Sequence, residues 1–136
     1  MNNTRFATAV HILTLLADND GEWVSSEWIG GSININPVMV RRELKVLHDA
    51  GLVQSRKGKE GGTRLQKPSH KITLADVYSI VKNSDVLGKK NLGANPKCPI
   101  GKNINKNLTG IFKNVDALVV KELGQKTLKD FLKQFH

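Results

Sequence analysis

Residues 36–65 read NPVMVRRELKVLHDAGLVQSRKGKEGGTRL. Asn36 followed by Pro37 marks a helix start, with a side-chain acceptor ahead of the first turn and proline where its missing N–H costs nothing. The helix runs to about residue 50, where Gly51 supplies a left-handed terminus. Val40, Leu44 and Leu47 recur at helical spacing and define its core face. Arg41, Arg42, Lys45 and His48 lie away from that stripe. Residues 52–56 then read as a strand, 58–62 as a flexible tip and 63–66 as a return strand. Gly61 and Gly62 permit backbone angles that other residues resist. A cationic helix followed at once by a basic hairpin is the order in which a winged helix-turn-helix presents charge. The predicted fold class is therefore mainly α with a small β-hairpin wing.

The flanking segments fit this frame. Thr4 is placed to cap a helix running to about residue 17, with Phe6, Ala9, Val10, Leu13, Leu16 and Ala17 at helical spacing. Ile12 and Leu15 widen the stripe, so this helix is to be covered on more than one side, by a second element or a second subunit. Residues 18–21, DNDG, form a turn. Trp23 and Val24 make a short extended piece, and Ser25 or Ser26 opens a brief helix that Gly30 and Gly31 weaken or end. Trp23, Trp28 and Tyr78 read as packing residues rather than ligand-stacking ones. Thr73 and Asp76 form a capping box for the next helix, with Ile72 and Val77 as its hydrophobic staple.

Residues 84–103 contain three glycines and two prolines. They read as a long loop, and such loops are usually functional. From residue 104, Ile104, Leu108, Ile111, Val115 and Leu118 alternate steps of four and three, which is a coiled-coil seam. Gly124 breaks this helix. Thr127 caps a last short one bearing Leu128, Phe131, Leu132 and Phe135. The chain thus divides into a reading head at 1–83, an effector or sensor loop at 84–103, and helices at 104–136.

Composition narrows the functional classes. A chain of 136 residues forms one folding unit. No run approaches 18 apolar residues, so no membrane span is expected. The start MNNTRFATAV lacks the pattern of a signal peptide, which predicts a cytoplasmic protein. One cysteine excludes an internal disulfide, and four scattered histidines give no metal-ligand spacing. The net charge of +9 favours a polyanionic partner. Residues 41–71 concentrate it, with nine lysines or arginines against three acids. There is no nucleophile–base pair, and GKEGG lacks the lysine–serine ending of a phosphate loop. No catalytic residue, cofactor or metal is assigned, and no enzyme is expected.

The segments NPVMVRRELKVLHDAGLVQSRKGKEGGTRL, KITLADVYSIV and NPKCPIGKNI resemble the Rrf-type family of bacterial transcription regulators. That family includes the iron–sulfur cluster regulator, the nitric-oxide-sensing repressor and the cysteine-metabolism repressor. The resemblance covers roughly residues 4–134, and LxxAGLVxSxxGxxGG with the later ITLADV is its most specific part. It implies a winged-helix DNA-binding domain and a homodimer held by the long C-terminal helix. Residues 37–50 correspond to the recognition helix and 53–65 to the wing. Cluster-binding members carry three cysteines in the loop before the long helix. Here that loop offers Cys98 alone, which departs from the pattern and removes the thiolates that a cluster needs.

The expected partner is double-stranded DNA. Arg41, Arg42 and Lys45 are the first candidates, since arginine reaches guanine bidentately in the major groove. Asn36, Pro37 and Val38 bring the helix start to the duplex, where backbone N–H groups suit a phosphate. Ser25 and Ser26 are phosphate ligands or caps. Arg56, Lys57, Lys59 and Arg64 belong to the wing and are expected at the DNA backbone. Cys98 lies between Lys97 and Pro99, with Lys102 nearby. Cations favour the thiolate, which makes this residue a candidate sensor of a small-molecule or oxidant effector; its plainer role is a small hydrophobe lining the loop. The function expected is a dimeric, sequence-specific regulator, acting as a repressor and responsive to thiol or redox state. The second reading is a protein-interaction module that uses the winged helix without reading sequence.

Overall fold

A computed structural model describes residues 4–136. The first helix, α1 (Arg5–Asp18), buries Ala9, Val10, Ile12, Leu13, Thr14, Leu16 and Ala17. Seven buried positions in fourteen residues cannot face one side, and this chain's own elements cover them. The Thr14 hydroxyl is satisfied by donating to the Val10 carbonyl at 2.7 Å. Thr4 precedes α1 but makes no side-chain cap bond, unlike the expectation; its backbone is not in the extended conformation a capping residue uses.

The helix α2 (Ser26–Ile33) starts at Ser25, whose Oγ accepts from the Trp28 N–H at 3.1 Å. It runs through Gly30 and Gly31 instead of ending there. The reason is tertiary: a Cβ on Gly30 would lie 2.8 Å from the Ile35 carbonyl oxygen, so glycine lets the following turn close against the helix. Asn34 takes a left-handed conformation, and the chain enters α3 (Pro37–Asp49). Asn36 Oδ1 accepts from the Val38 N–H at 2.7 Å and Pro37 occupies the first turn, as the dipeptide predicts. Val40, Leu44 and Leu47 are buried, and Gly51 has φ +82° beyond the helix end.

The wing consists of β1 (Val53–Arg56) and β2 (Gly62–Leu65), paired antiparallel with Val53 opposite Leu65 and Arg56 opposite Gly62. Val24 pairs with Thr63 through two backbone hydrogen bonds of 2.9 Å, so the piece before α2 is tied to the wing. Next, α4 (Leu74–Val81) carries the complete Thr73–Asp76 capping box.

The long helix α5 (Pro99–Gly124) begins five residues before the start expected from the glycine-rich composition. Cys98 and Pro99 supply a cap and an N1 proline, so residues 99–103 form its opening turns. The preceding segment folds back onto α5. The Val86 N–H donates to Asp116 Oδ1 at 2.9 Å, Lys90 Nζ donates to Thr109 Oγ1 at 3.0 Å, and Asn105 Nδ2 donates to the Asn91 carbonyl at 2.8 Å. The backbone N–H of Val86 holds the Asp116 carboxyl below the usual carboxylate range.

The last helix, α6 (Leu128–Leu132), buries Leu128 and starts with a Thr127–Asp130 capping box. The Leu128 N–H donates to the Ile72 carbonyl at 2.8 Å, and the Leu74 N–H to the Lys126 carbonyl at 2.9 Å. These bonds fasten the chain end to α4. The core therefore lies around α1, between α2, α3 and the wing on one side and α4 and α6 on the other. On α5 only Phe112 is buried, while Ile111 and Leu118 of the seam are 53% and 66% exposed. No helix among the described residues is long and apolar enough to cross a membrane.

Candidate nucleic-acid interface

On α3, Val38, Arg41, Arg42 and Lys45 stand at i, i+3, i+4 and i+7, and all are exposed. They share the face opposite the buried Val40–Leu44–Leu47 stripe, because the helical repeat separates the two sets. Val38 and Met39, 53% and 43% exposed, add apolar surface at the outer end of this face.

An open cleft of about 650 Å³ lies between this helix and the wing. Its walls include Ser26, Arg41 and Lys45 from the helix-turn-helix and Arg56, Lys57 and Lys59 from the hairpin. Residues widely separated in sequence thus converge on one basic surface. Arg42, Asn36, Pro37, Val38 and Arg64 lie outside the cleft. The first four border it from the outer side and start of α3. Arg64 shares a hairpin face with Arg56, but its guanidinium lies over Trp23, 4.2 Å from the ring.

Two cations of the cleft have local counter-charges. Arg41 Nη1 lies 3.6 Å from Glu27 Oε1, and Lys45 Nζ lies 3.2 Å from Asp49 Oδ2. The hydrogen bond and charge of Lys45 hold the Asp49 carboxyl below its ordinary range, with His48 adding to the effect. Both pairs are exposed, and such pairs are weak enough for a phosphate or base edge to displace. Arg56 Nη2 instead donates to the Glu60 carbonyl at 2.6 Å across the tip.

Glu27, His48 and Ser55, which the sequence does not mark as binding residues, also line this surface. Ser55 could have been inferred: the two-residue alternation of β1 places Ser55 and the buried Val53 on the same side. Nothing local marks Glu27, which reaches the cleft through the packing of α2 on α3. The tryptophans also differ from the packing role expected of them. Trp28 is 50% exposed. Trp23 lies under two guanidinium groups, with Arg64 Cζ 4.2 Å and Arg56 Cζ 4.7 Å from its ring. Tyr78 does pack, edge-on to Phe6 at 6.3 Å.

A helix-turn-helix, a flanking hairpin and one basic cleft between them are the parts of a DNA-reading head. The family model described as Rrf2, iron-dependent transcriptional regulator, matches residues 2–134. The chain belongs to the Rrf2 family. It is 40% identical to a Bacillus subtilis protein named as an HTH-type transcriptional regulator, YwnA, over 97% of each chain. It is 38% identical to a solved structure described as a DNA binding protein, with a TM-score of 0.76 over 94% of this chain and 98% of that one. CymR, the global cysteine regulator of B. subtilis, shares the fold, with 21% identity, a TM-score of 0.73 and coverage of 98% and 97%. The Rrf2 family and these relatives are transcriptional regulators rather than enzymes.

The family description names iron, and the donor set of this member does not match a cluster site. The sequence holds one cysteine, Cys98. It is exposed at the start of α5, where its Sγ accepts from the Gly101 N–H at 3.4 Å. Among the described residues no three His, Cys, Asp or Glu side chains are grouped to hold a metal ion. One thiolate per chain does not meet the usual requirement for several.

Proposed function

We propose that this Rrf2 regulator is a cytoplasmic homodimer that reads a pseudo-palindromic DNA site, with one α3 helix entering the major groove of each half-site. The observation that carries this reading is the convergence of Arg41 and Lys45 with Arg56, Lys57 and Lys59 on one cleft. Arg41 and Arg42 reach base edges, Lys45 and the start of α3 at Asn36, Pro37 and Val38 lie against the backbone or thymine methyls, and Ser26 meets a phosphate. The wing residues Arg56, Lys57 and Lys59 grip the neighbouring strand, and Arg64 supports them. The exposed Ile111 and Leu118 on α5 support pairing of two long helices, because such a seam gains by being covered. Half-sites then lie about 10 base pairs apart, or a multiple of that. Occupying a site of this kind blocks transcription, so the regulator acts as a repressor. Selection of bound genomic fragments followed by footprinting tests the reading: a two-fold symmetric protected site supports it, and uniform recovery of all fragments contradicts it.

Wing and helix should respond differently to mutation. Lys57→Ala is expected to weaken binding to every duplex alike and to lower the slope of log affinity against log salt by about one. Affinity titrations between 50 and 200 mM salt, roughly the range where such slopes are large, read this directly. A loss confined to one sequence would place Lys57 at a base.

The responsive element is residues 82–98, which link α4 to α5 and end at Cys98. This exposed thiol stands at the join between the reading head and the pairing helix, so its oxidation or capping would alter the relation of the two heads. Peroxide or diamide is expected to reduce DNA affinity of the wild type and to leave Cys98→Ser unaffected. The same loss in both proteins would rule out a thiol response through Cys98.

A further inference from the structure

Trp23 occupies a position that packing alone does not explain. It directly precedes Val24, whose N–H and C=O both bond to Thr63 at 2.9 Å. This bridge holds Trp23 beside the wing. A Cβ on Gly62 would lie 2.6 Å from the Val24 carbonyl oxygen, so glycine at that position is what allows the close approach. Gly62 is also the cross-strand partner of Arg56.

Arg56 and Arg64 are diagonal neighbours across the hairpin, since Arg56 faces Gly62 and Gln54 faces Arg64. Both point to the indole side, at 4.7 and 4.2 Å from the ring. Arg64 is half-buried and reaches the Gly21 carbonyl at 3.5 Å. Arg56 is exposed, is held on its other side by the Glu60 carbonyl, and lines the cleft with Lys57 and Lys59. Among the described residues neither guanidinium is ion-paired with a carboxylate. Two like charges therefore share one aromatic platform without a carboxylate counter-ion, an arrangement suited to a phosphate.

We propose that Trp23 is a positioning residue for DNA binding that acts through Arg56. The ring fixes the plane of the Arg56 guanidinium, with Arg64 bracing the same platform. Arg56 is then ordered before the duplex arrives, and the entropy cost of ordering it at the interface is reduced. Trp23 itself does not touch the DNA. This inference rests on the DNA-binding reading given above.

The test is a double-mutant cycle on a duplex enriched by selection, with Trp23→Leu, Arg56→Ala and the double variant. Trp23→Leu is expected to lower affinity about fivefold, the size of one exposed cation–π contact. In the Arg56→Ala background it is expected to have no further effect. Trp23→Phe, which retains an aromatic face, should restore most of the affinity. Arg56→Lys keeps the charge but not the stacking plane, so it should lose about as much as Trp23→Leu; this variant lies at an exposed tip and keeps the test open if Trp23→Leu fails to fold. Additive losses in the cycle, or wild-type affinity in Arg56→Lys, would overturn the inference. A wild type without preference for any duplex would instead overturn the DNA-binding reading on which it stands.

Discussion

Alanine at Arg41 or at Arg42 is expected to weaken binding to the preferred duplex by about 1–3 kcal/mol each and to relax base preference at the position contacted. Both side chains leave α3 on the face opposite its buried stripe, so truncation removes the proposed groove contacts without opening the core. To engage DNA as proposed, Arg41 would have to give up Glu27, 3.6 Å away. That exchange is inexpensive because the pair is exposed. Titration against a panel of single-base variants separates this effect from the uniform loss expected for Lys57→Ala. Unchanged affinity of the Arg41→Ala, Arg42→Ala double variant would remove α3 from the interface. Thermal unfolding of the variants should match the wild type, since neither side chain contributes to the core.

The second large effect concerns the pairing helix. Glutamate at both Ile111 and Leu118 is expected to convert the proposed dimer to a monomer and to lower affinity for the proposed two-fold site by about 10²–10⁴-fold, the gain that linking two binding modules provides. These side chains are exposed within one chain, whereas Leu123 of α5 packs against the core. The protomer should therefore keep its fold and its weak binding to a single half-site. Sedimentation of free protein, together with titration of full and half sites, reads all three quantities. A variant that remains dimeric would place the pairing surface elsewhere, and a monomer with full affinity for the two-fold site would show that pairing is not needed for reading.

Much of the fold was legible because its signals are local. Asn36–Pro37, Gly51 and the Thr73–Asp76 box each act within one helical turn, and each lies where the sequence places it. Cys98–Pro99 carries the same kind of start signal as Asn36–Pro37, but the glycines around it mask the signal in a composition-based reading. The continuation of α2 past Gly30 was hidden for a different reason. The role of Gly30 is set by the Ile35 carbonyl, which only the finished turn brings near. The basic set of the cleft was visible as a charge cluster, because α3 and the wing are consecutive in the chain. Its acidic member, Glu27, and the platform Trp23 were not. Trp23 meets Arg56 and Arg64 only after the hairpin folds back and Val24 pairs with Thr63. No spacing rule joins those positions.

In the reading proposed above, two copies of this chain read one duplex through α3 and the wing. The most direct measurement is the affinity ratio between a selected two-fold site and its shuffled counterpart, taken over a range of salt with the mass of the complex recorded. The account predicts a ratio of about 10³ or more, two chains per site, and a steep fall in affinity as salt rises. Equal binding to both duplexes at low salt, or a complex containing a single chain, would contradict it.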